Sequence, residues 1–425
     1  MKKSRFNLIV PYKDGKTIIF NTRSGGIGLF DNEFMNRYES DTMADAEKEA
    51  LAHRGMLVHP CKDELSEVNA DRLEGIVARG VKEYRIWTTS ACNARCFYCF
   101  EKGIRAEAMS EETANRVADV IEESLEDGDQ LYVEWFGGEP LCNIEVIDCL
   151  TRRLDAICSE RHANYHASMV TNGSLVTREV AHKIAFEWHV EKIQVTLDGH
   201  AVQYEAIKNY KNPESHNFRA VVSGIHHLLD TGVRVSLRMN YTTDNYASLS
   251  ELIDFLHCEF EGVKGIHYYA YPIWGSLNAA NPNAFVSDTK ADENLIRLFD
   301  KMLEYGMEDP RSLVRLRYRR HQCGACRLGS FTILPDGRIT KCSEAFSHPI
   351  GDVWGGVADY KTQSIWTDGA VDDMCYECVY LPVCQGGCKA SKCTGMEQCF
   401  AYKPIYPRLI SWYMDYLIEK KREIG

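Results

Sequence analysis

Three things are scarce in this chain. It has no run of about 18 apolar residues, the length a membrane-spanning helix needs. The five-residue stretch FNLIV near the start stops at Pro11, too short for the core of a signal peptide. Positive charge is also short, with 49 Lys plus Arg against 61 Asp plus Glu in 425 residues and a formal charge of −12. That balance speaks against general binding to nucleic acid or to an anionic membrane, so the expectation is a cytoplasmic protein with neither as partner. The third shortage is local. Cys92, Cys96 and Cys99 lie within eight positions, yet no fourth Cys or His stands at the spacing a structural zinc requires.

Cysteine itself is abundant, at 17 residues. In a long chain without an export signal that abundance points to metal rather than disulfides. Twelve of the 17 concentrate at 92–99 and 323–399; Cys61, Cys142, Cys149, Cys158 and Cys258 are scattered and expected to be small buried apolar residues.

Between 81 and 310, β-rich runs alternate with amphipathic ones. YRIWTT, LYVEWF, HASMVT, KIQVTL, VRVSLRM and IHYYAY read as six strands, with helices between them and Ser110 as a helix cap. Strands separated by helices imply parallel βαβ units, and the right-handed crossover favours an open or closed (β/α) barrel. The unusual residues follow the strands. CNARCFYC, GGEP, NGS, Asp198-Gly199 and Asn240 end the first five, on the face where barrel enzymes keep their chemistry. Residues 1–78 form a separate α+β pattern, with two strands around the turn Lys13-Asp14-Gly15 and then polar helical stretches before GMLVHP. Residues 79–310 are the barrel. Residues 311–403 are rich in Cys and Gly with little helical periodicity, as where metal supplies the core. Residues 404–425 read as one amphipathic helix.

Three thiolates on a four-iron cluster leave one iron open to a chelating small molecule. The loop CNARCFYC resembles the C-x3-C-x2-C signature of the radical S-adenosylmethionine (radical SAM) superfamily, with an aromatic before the last cysteine. The resemblance implies a partial (β/α)6 barrel in which the open iron binds SAM, and reductive cleavage gives a radical that abstracts hydrogen. It also implies that Gly137, Gly138 and Glu139 of GGEP meet the methionine end of SAM. Thr196 matches a position near the ribose and carboxylate. Lys208 stands where relatives commonly have arginine, and lacks that residue's bidentate fork. Asn172 and Arg238 are further candidates, and Tyr98 flanks the adenine. No catalytic residue is assigned.

The later cysteines have their own pattern: Cys326-x10-Gly337-x4-Cys342, then Cys375-x2-Cys378-x5-Cys384-x3-Cys388, with Cys393 and Cys399 beyond. This resembles the SPASM domain of radical SAM peptide and protein modifiers, which implies two auxiliary clusters and three 4Fe-4S clusters in all. By position Cys323, Cys326, Cys342 and Cys388 hold the first. Cys375, Cys378 and Cys384 hold the second, closed by Cys399 in preference to Cys393. Two zinc ribbons compete as an explanation but do not account for the Gly-x4-Cys and Cys-x3-Cys elements.

Such enzymes modify proteins, as sulfatase maturases do, or mature ribosomally made peptides. The sulfatase-maturing relatives have an aspartate base directly after the cysteine of Gly-x4-Cys; here Ser343 stands there, followed by Glu344. The N-terminal unit resembles a winged-helix-like element that binds a leader segment by β-augmentation. The resulting expectation is a peptide maturase that crosslinks a precursor held through its leader. A thioether is favoured, a carbon–carbon link is next, and reduced ferredoxin or flavodoxin is the electron donor. An epimerase with Cys142 as hydrogen donor and a sulfatase-maturase-like protein modifier are the alternatives.

Overall fold

Alternation decides which side of each strand is buried, and in this chain it divides the main sheet into an apolar and a polar face. The computed structural model describes residues 1–212, 217–242, 244–273, 289–309, 318–321, 323–390, 399 and 402–424. They fall into two units: Met1–Val77 with Asp309–Cys326 and Asp368–Gly425, and Ala78–Glu308 with Arg327–Thr367. The cysteine-rich segment 311–403 is therefore shared, its middle in the second unit and its flanks in the first.

In the first unit β1 (Lys2–Lys3), β2 (Asn7–Pro11), β3 (Thr17–Asn21) and β4 (Ile27–Phe30) precede α1 (Asn32–Glu39), α2 (Asp45–His53), β5 (Leu57–Val58) and α3 (Glu64–Val77). β2, β3 and β4 form an antiparallel sheet, and β1 pairs with β5. The expected turn at Lys13–Gly15 is present, with Asp14 and Gly15 at φ 55° and 69°. β4 adds to the two strands read from the sequence, because the glycines of SGGIGLF weaken the strand signal. Ile19, Tyr38, Met43, Leu51, Met56 and Leu57 form one core cluster. Phe6 and Val68 pack with Leu381, which joins the two ends of the chain in a second. Each such side chain contributes roughly 1.5–3 kcal/mol on burial. The helix Tyr406–Ile424 lies where an amphipathic helix was read.

The second unit contains all six expected strands, β6 (Val81–Thr89), β7 (Gln130–Gly137), β8 (Asn164–Thr171), β9 (Val190–Thr196), β10 (Arg234–Tyr241) and β11 (Ile266–Pro272), mutually parallel. Between them run α4 (Glu111–Ser124), α5 (Ile144–Glu160), α6 (Arg178–His182), α7 (Ala201–Lys208), α8 (Asn217–Asp230) and α9 (Tyr246–Glu259), and α10 (Thr289–Glu304) follows β11. Ser110 caps α4 by accepting from the Thr113 amide at 3.0 Å. The sequence reading missed β12 (Ser330–Ile333), which pairs parallel to β6, and the antiparallel β13 (Arg338–Thr340), β14 (Gly351–Asp352) and β15 (Gly356–Val357). The sheet runs β11-β10-β9-β8-β7-β6-β12-β13-β14-β15, so β6 and β11 do not pair.

On one face Tyr84, Ile86, Leu131, Val133, Ile193, Val195 and Leu237 are buried. Helices cover this side; the Tyr84 hydroxyl donates to Ser124 of α4 at 2.8 Å. The other face presents Arg85, Glu134, Ser168, Gln194, Arg238 and Tyr271, all only partly buried. These residues link across strands: Arg85 pairs with Glu134, Tyr269 donates to Gln194 at 2.7 Å, and the Arg238 guanidinium lies 4.3 Å from the Tyr271 ring centre. A parallel sheet usually has both faces covered by apolar helices. A polar, partly open face is suited to holding a ligand.

Candidate active site at the three-cysteine loop

The loop of Cys92, Cys96 and Cys99 leaves the end of β6 and is tied at its base. The Ser90 amide and the Thr89 hydroxyl donate to the Glu107 carbonyl at 2.8 and 2.7 Å. Phe100, next to Cys99, packs edge-on against Trp87 of β6 with ring centres 6.1 Å apart. GGEP then presses on the same base. The Gly138 and Glu139 amides donate to the Thr89 and Ala91 carbonyls, both at 2.9 Å. A Cβ on Gly137, at φ 131°, would stand 2.1 Å from the Thr89 carbonyl oxygen, and one on Gly138 would stand 2.5 Å from that of Ala91. Glycine is required because backbone meets backbone. The close approach is to the cysteine loop itself, a partner that sequence reasoning did not name.

Glu139 is fully buried. It accepts from the Thr171 hydroxyl at 2.6 Å, the Asn172 amide at 2.8 Å and the Leu141 amide at 3.2 Å. Burial pushes its carboxyl above the ordinary range, against those donors. Asn172 in turn donates to Asn93 inside the cysteine loop at 2.8 Å and lies 3.9 Å from Cys92 Sγ. The ends of β7 and β8 are thus bonded to the loop through Glu139 and Asn172. Beside them Glu101 has a buried Oε2 with no hydrogen-bond partner among the described residues.

Lys208, at the end of α7, is 2% exposed. Its ammonium lies 2.8 Å from Asp198 Oδ2, 2.6 Å from Thr196 Oγ1 and 3.0 Å from the Tyr98 hydroxyl. Burial opposes its charge, but Asp198 and then Tyr98 and Cys96 hold its pKa well above the usual lysine value. The Tyr98 hydroxyl donates to Asp198 at 2.6 Å and accepts from Asn240 at 3.2 Å, and Asn240 also donates to Asp198 at 2.7 Å. With its three protons committed inside the protein, Lys208 as placed has none left for an external carboxylate. Arg238 joins through Asn240, to which its Nε donates at 2.8 Å. On the polar face the Ser343 hydroxyl accepts from Arg85 at 3.1 Å. The Glu344 carboxyl is pushed up by burial, with the charges of Arg238 and Arg85 opposing the shift.

The structure therefore brings Tyr98, Gly137, Gly138, Glu139, Asn172, Thr196, Lys208 and the cysteine loop into one bonded assembly. Sequence reasoning missed Asn93, Glu101 and Thr171, and it gave Asp198 and Asn240 no role. For the last two the signal was present, since both sit at strand ends on the working face.

Three thiolates on one loop are the donor type that a four-iron cluster takes, and the residues present fit one. Among the described residues no three His, Cys, Asp or Glu side chains are grouped as a single-ion site. Burial pushes the Cys92 and Cys99 thiols up to about 12, so the positive charge of a metal is what would release their protons.

Among the other cysteines, Cys323, Cys326, Cys375, Cys378, Cys384, Cys388 and Cys399 belong to the first unit and Cys342 to the second. The amide of Cys326 donates to the Cys323 carbonyl and that of Cys378 to the Cys375 carbonyl, both at 3.1 Å, so each pair turns within one loop. Lys403 donates to Cys399 Sγ at 3.3 Å. Burial opposes its charge, while Cys399 first and then Cys378 and Cys384 favour it. Cys393 lies outside the described residues. The expectation for the scattered cysteines needs correction: Cys61, Cys142 and Cys258 are exposed and only Cys158 is buried. Each of the three sits in a polar turn or near a helix end, where burial is not enforced.

Residues 87–256 match the Radical SAM superfamily, and the three-cysteine loop lies within that match. The chain carries a radical SAM domain over those residues. It is similar to the uncharacterized protein MJ0907 of Methanocaldococcus jannaschii, 25% identical over 191 residues covering 44% of this chain and 62% of that protein. It is also similar to the radical SAM cyclopropyl synthase TigE of Paramaledivibacter caminithermalis, 24% identical over 244 residues covering 54% of this chain and 48% of that one. The chain thus spans less than two thirds of the length of these curated relatives. In fold it resembles anSMEcpe with bound AdoMet, at TM-score 0.62 and 14% identity over 80% of this chain and 98% of that one. It also resembles Streptococcus suis SuiB bound to the precursor peptide SuiA, at TM-score 0.50 and 16% identity over 92% and 96%. No helix among the described residues is long and apolar enough to cross a membrane.

Proposed function

We propose that the chain is a cytoplasmic radical SAM peptide maturase that takes a hydrogen atom from a ribosomally made precursor and closes an intramolecular crosslink, a thioether first and a carbon–carbon bond next. The observation that carries this reading is the assembly of Cys92, Cys96 and Cys99 with Glu139 and Asn172 at the end of a sheet whose other face is polar and partly open. When bound, the cluster and SAM would supply a carbon radical able to take hydrogen from an unactivated C–H bond. The protein's part is to hold and exclude. Thr196, Asn172 and Arg238 would help hold SAM, and the polar face of Arg85, Glu134 and Arg238 would take the substrate segment in an incomplete (β/α)6 barrel.

The cysteines from 323 to 399 would hold two auxiliary clusters, with Cys399 closing the second. A crosslink removes two hydrogens, so these clusters have an oxidising role, and reduced ferredoxin or flavodoxin would start each turnover. Residues 1–78 would bind the leader as an added strand on β4. That edge has one strand partner among the described residues. Near β2, at the opposite edge, Lys13 pairs with Asp415 of the C-terminal helix at 2.8 Å. Peptide-bound SuiB and peptide-bound anSMEcpe among the structural neighbours support a peptide substrate.

After anaerobic reconstitution the protein should hold about twelve irons per chain, for three cubes. With SAM and a reductant it should release 5′-deoxyadenosine, and the precursor should lose two hydrogens in mass. No mass change together with exchange of one C–H would redirect the reading to an epimerase. A protein whose cluster signal ignores SAM would end it. A second reading, a sulfatase-maturase-like protein modifier, draws support from Glu344 beside Arg85 and Arg238. It predicts that Glu344→Gln abolishes product while leaving 5′-deoxyadenosine release intact.

A further inference from the structure

α3 buries one stripe of side chains, and an arginine stands in the middle of it. The buried positions are Glu64, Val68, Arg72, Gly75 and Ile76, spaced as one face of a helix. Both charged members are almost out of solvent, each 5% exposed. Their circumstances differ. Glu64 accepts from the Ser4 hydroxyl at 2.7 Å and from the Arg5 amide at 3.0 Å. Arg72 donates from Nη2 to Asn69 Oδ1 at 2.9 Å, but that acceptor is a neutral amide. Its Nε and Nη1 are buried with no hydrogen-bond partner among the described residues. A guanidinium left in that condition is costly, so the position asks for an anionic acceptor.

What borders the stripe is the cysteine-rich chain. A helical side chain leans toward the helix N-terminus, and the bond to Asn69 lays the Arg72 guanidinium over the turn of Val68. Val68 forms with Phe6 and Leu381 the small core on which Cys375 and Tyr318 pack. One turn further on, a Cβ on Gly369 would stand 2.8 Å from Leu73 Cδ2 and 3.3 Å from Ile76 Cδ1, and one on Gly75 would stand 2.9 Å from Arg320 Cβ. The stretches that lead to Cys323 and Cys375 therefore roof this face of α3. All of these residues belong to the first unit.

We propose that Arg72 is a cluster-holding residue, whose unpartnered Nε and Nη1 donors and positive charge serve the iron–sulfur cluster assigned to Cys375, Cys378, Cys384 and Cys399. The inference rests on that assignment. A four-iron cube on four thiolates carries net negative charge and its sulfurs accept hydrogen bonds, so it meets both needs of the guanidinium at once. α3 then supports the cluster without giving it an iron ligand.

The test uses the full chain reconstituted anaerobically, and reads iron per chain together with the melting curve of the metal-free form. Arg72→Met has similar reach and removes the charge and the donors. It should hold about eight irons where the wild type holds about twelve. Its metal-free form should melt no lower than the wild type, because the charge removed had no partner there. The double variant Cys375→Ala with Cys378→Ala should also hold about eight, and adding Arg72→Met to it should remove no more. Wild-type iron in Arg72→Met overturns the proposal. So does a lower melt of its metal-free form, or further iron loss in the triple variant, since either gives Arg72 a role apart from this cluster. Wild-type iron in the double cysteine variant overturns the cluster assignment instead, and this inference with it.

Discussion

At the scale of single residues, the site is held by groups whose own needs are met inside the protein. Gly138 shows how tight this is. Its missing side chain faces the Ala91 carbonyl carbon and oxygen and the Ser90 carbonyl oxygen, at 2.5–2.7 Å from where a Cβ would be. Gly138→Ala should therefore displace the loop base, costing about 1–3 kcal/mol as overpacking does and lowering iron content after reconstitution. Iron content and the melting curve of the metal-free chain would check this; unchanged values for both would mean the loop yields freely. Glu101 supplies a pH signature. Burial, helped by the Glu139 charge, pushes its carboxyl up to about 8. A carboxyl raised in the folded state keeps a proton that the unfolded chain has lost. Its stabilising contribution is full below the ordinary carboxylate pKa and disappears as pH rises through about 8. The metal-free protein should melt lower at about pH 9 than at about pH 5, and Glu101→Gln should flatten that part of the profile.

At the scale of elements, local signals and long-range pairing separate cleanly. Ser110 was readable as a cap because its side chain serves its own helix, and Ser110→Ala should cost about 1 kcal/mol in denaturant unfolding. The six parallel strands were readable because helices bury one side of each and so enforce apolar alternation. β4 and β12–β15 were not. They are two to four residues long, and β12 is a strand because β6 offers it an edge, a fact no local window holds. The site follows the same rule. The cysteines announced themselves by spacing and GGEP by its glycines. Asp198 and Asn240 gain meaning only when α7 delivers Lys208 between them.

At the scale of the whole molecule, residues 1–77 do not make a unit alone. Phe6 and Val68 pack against Leu381, the Thr22 hydroxyl donates to the Val379 carbonyl at 2.5 Å, and Arg5 donates to the Tyr376 carbonyl. Expressed separately, residues 1–78 should lack a cooperative thermal transition and should bind a hydrophobic dye. Adding residues 368–425 in the same chain should restore the transition. A sharp melt of the short fragment would show that Phe6 and Val68 find cover without Leu381.

The shared core of Phe6, Val68 and Leu381 also bears on how the protein is born. During synthesis the opening segment leaves the ribosome some three hundred residues before Leu381 exists, as the positions 68 and 381 require. It must wait, incompletely packed, while the parallel sheet of the second unit has already had time to fold. Maturation would then run backwards relative to translation, with the surface proposed to greet the substrate assembled last.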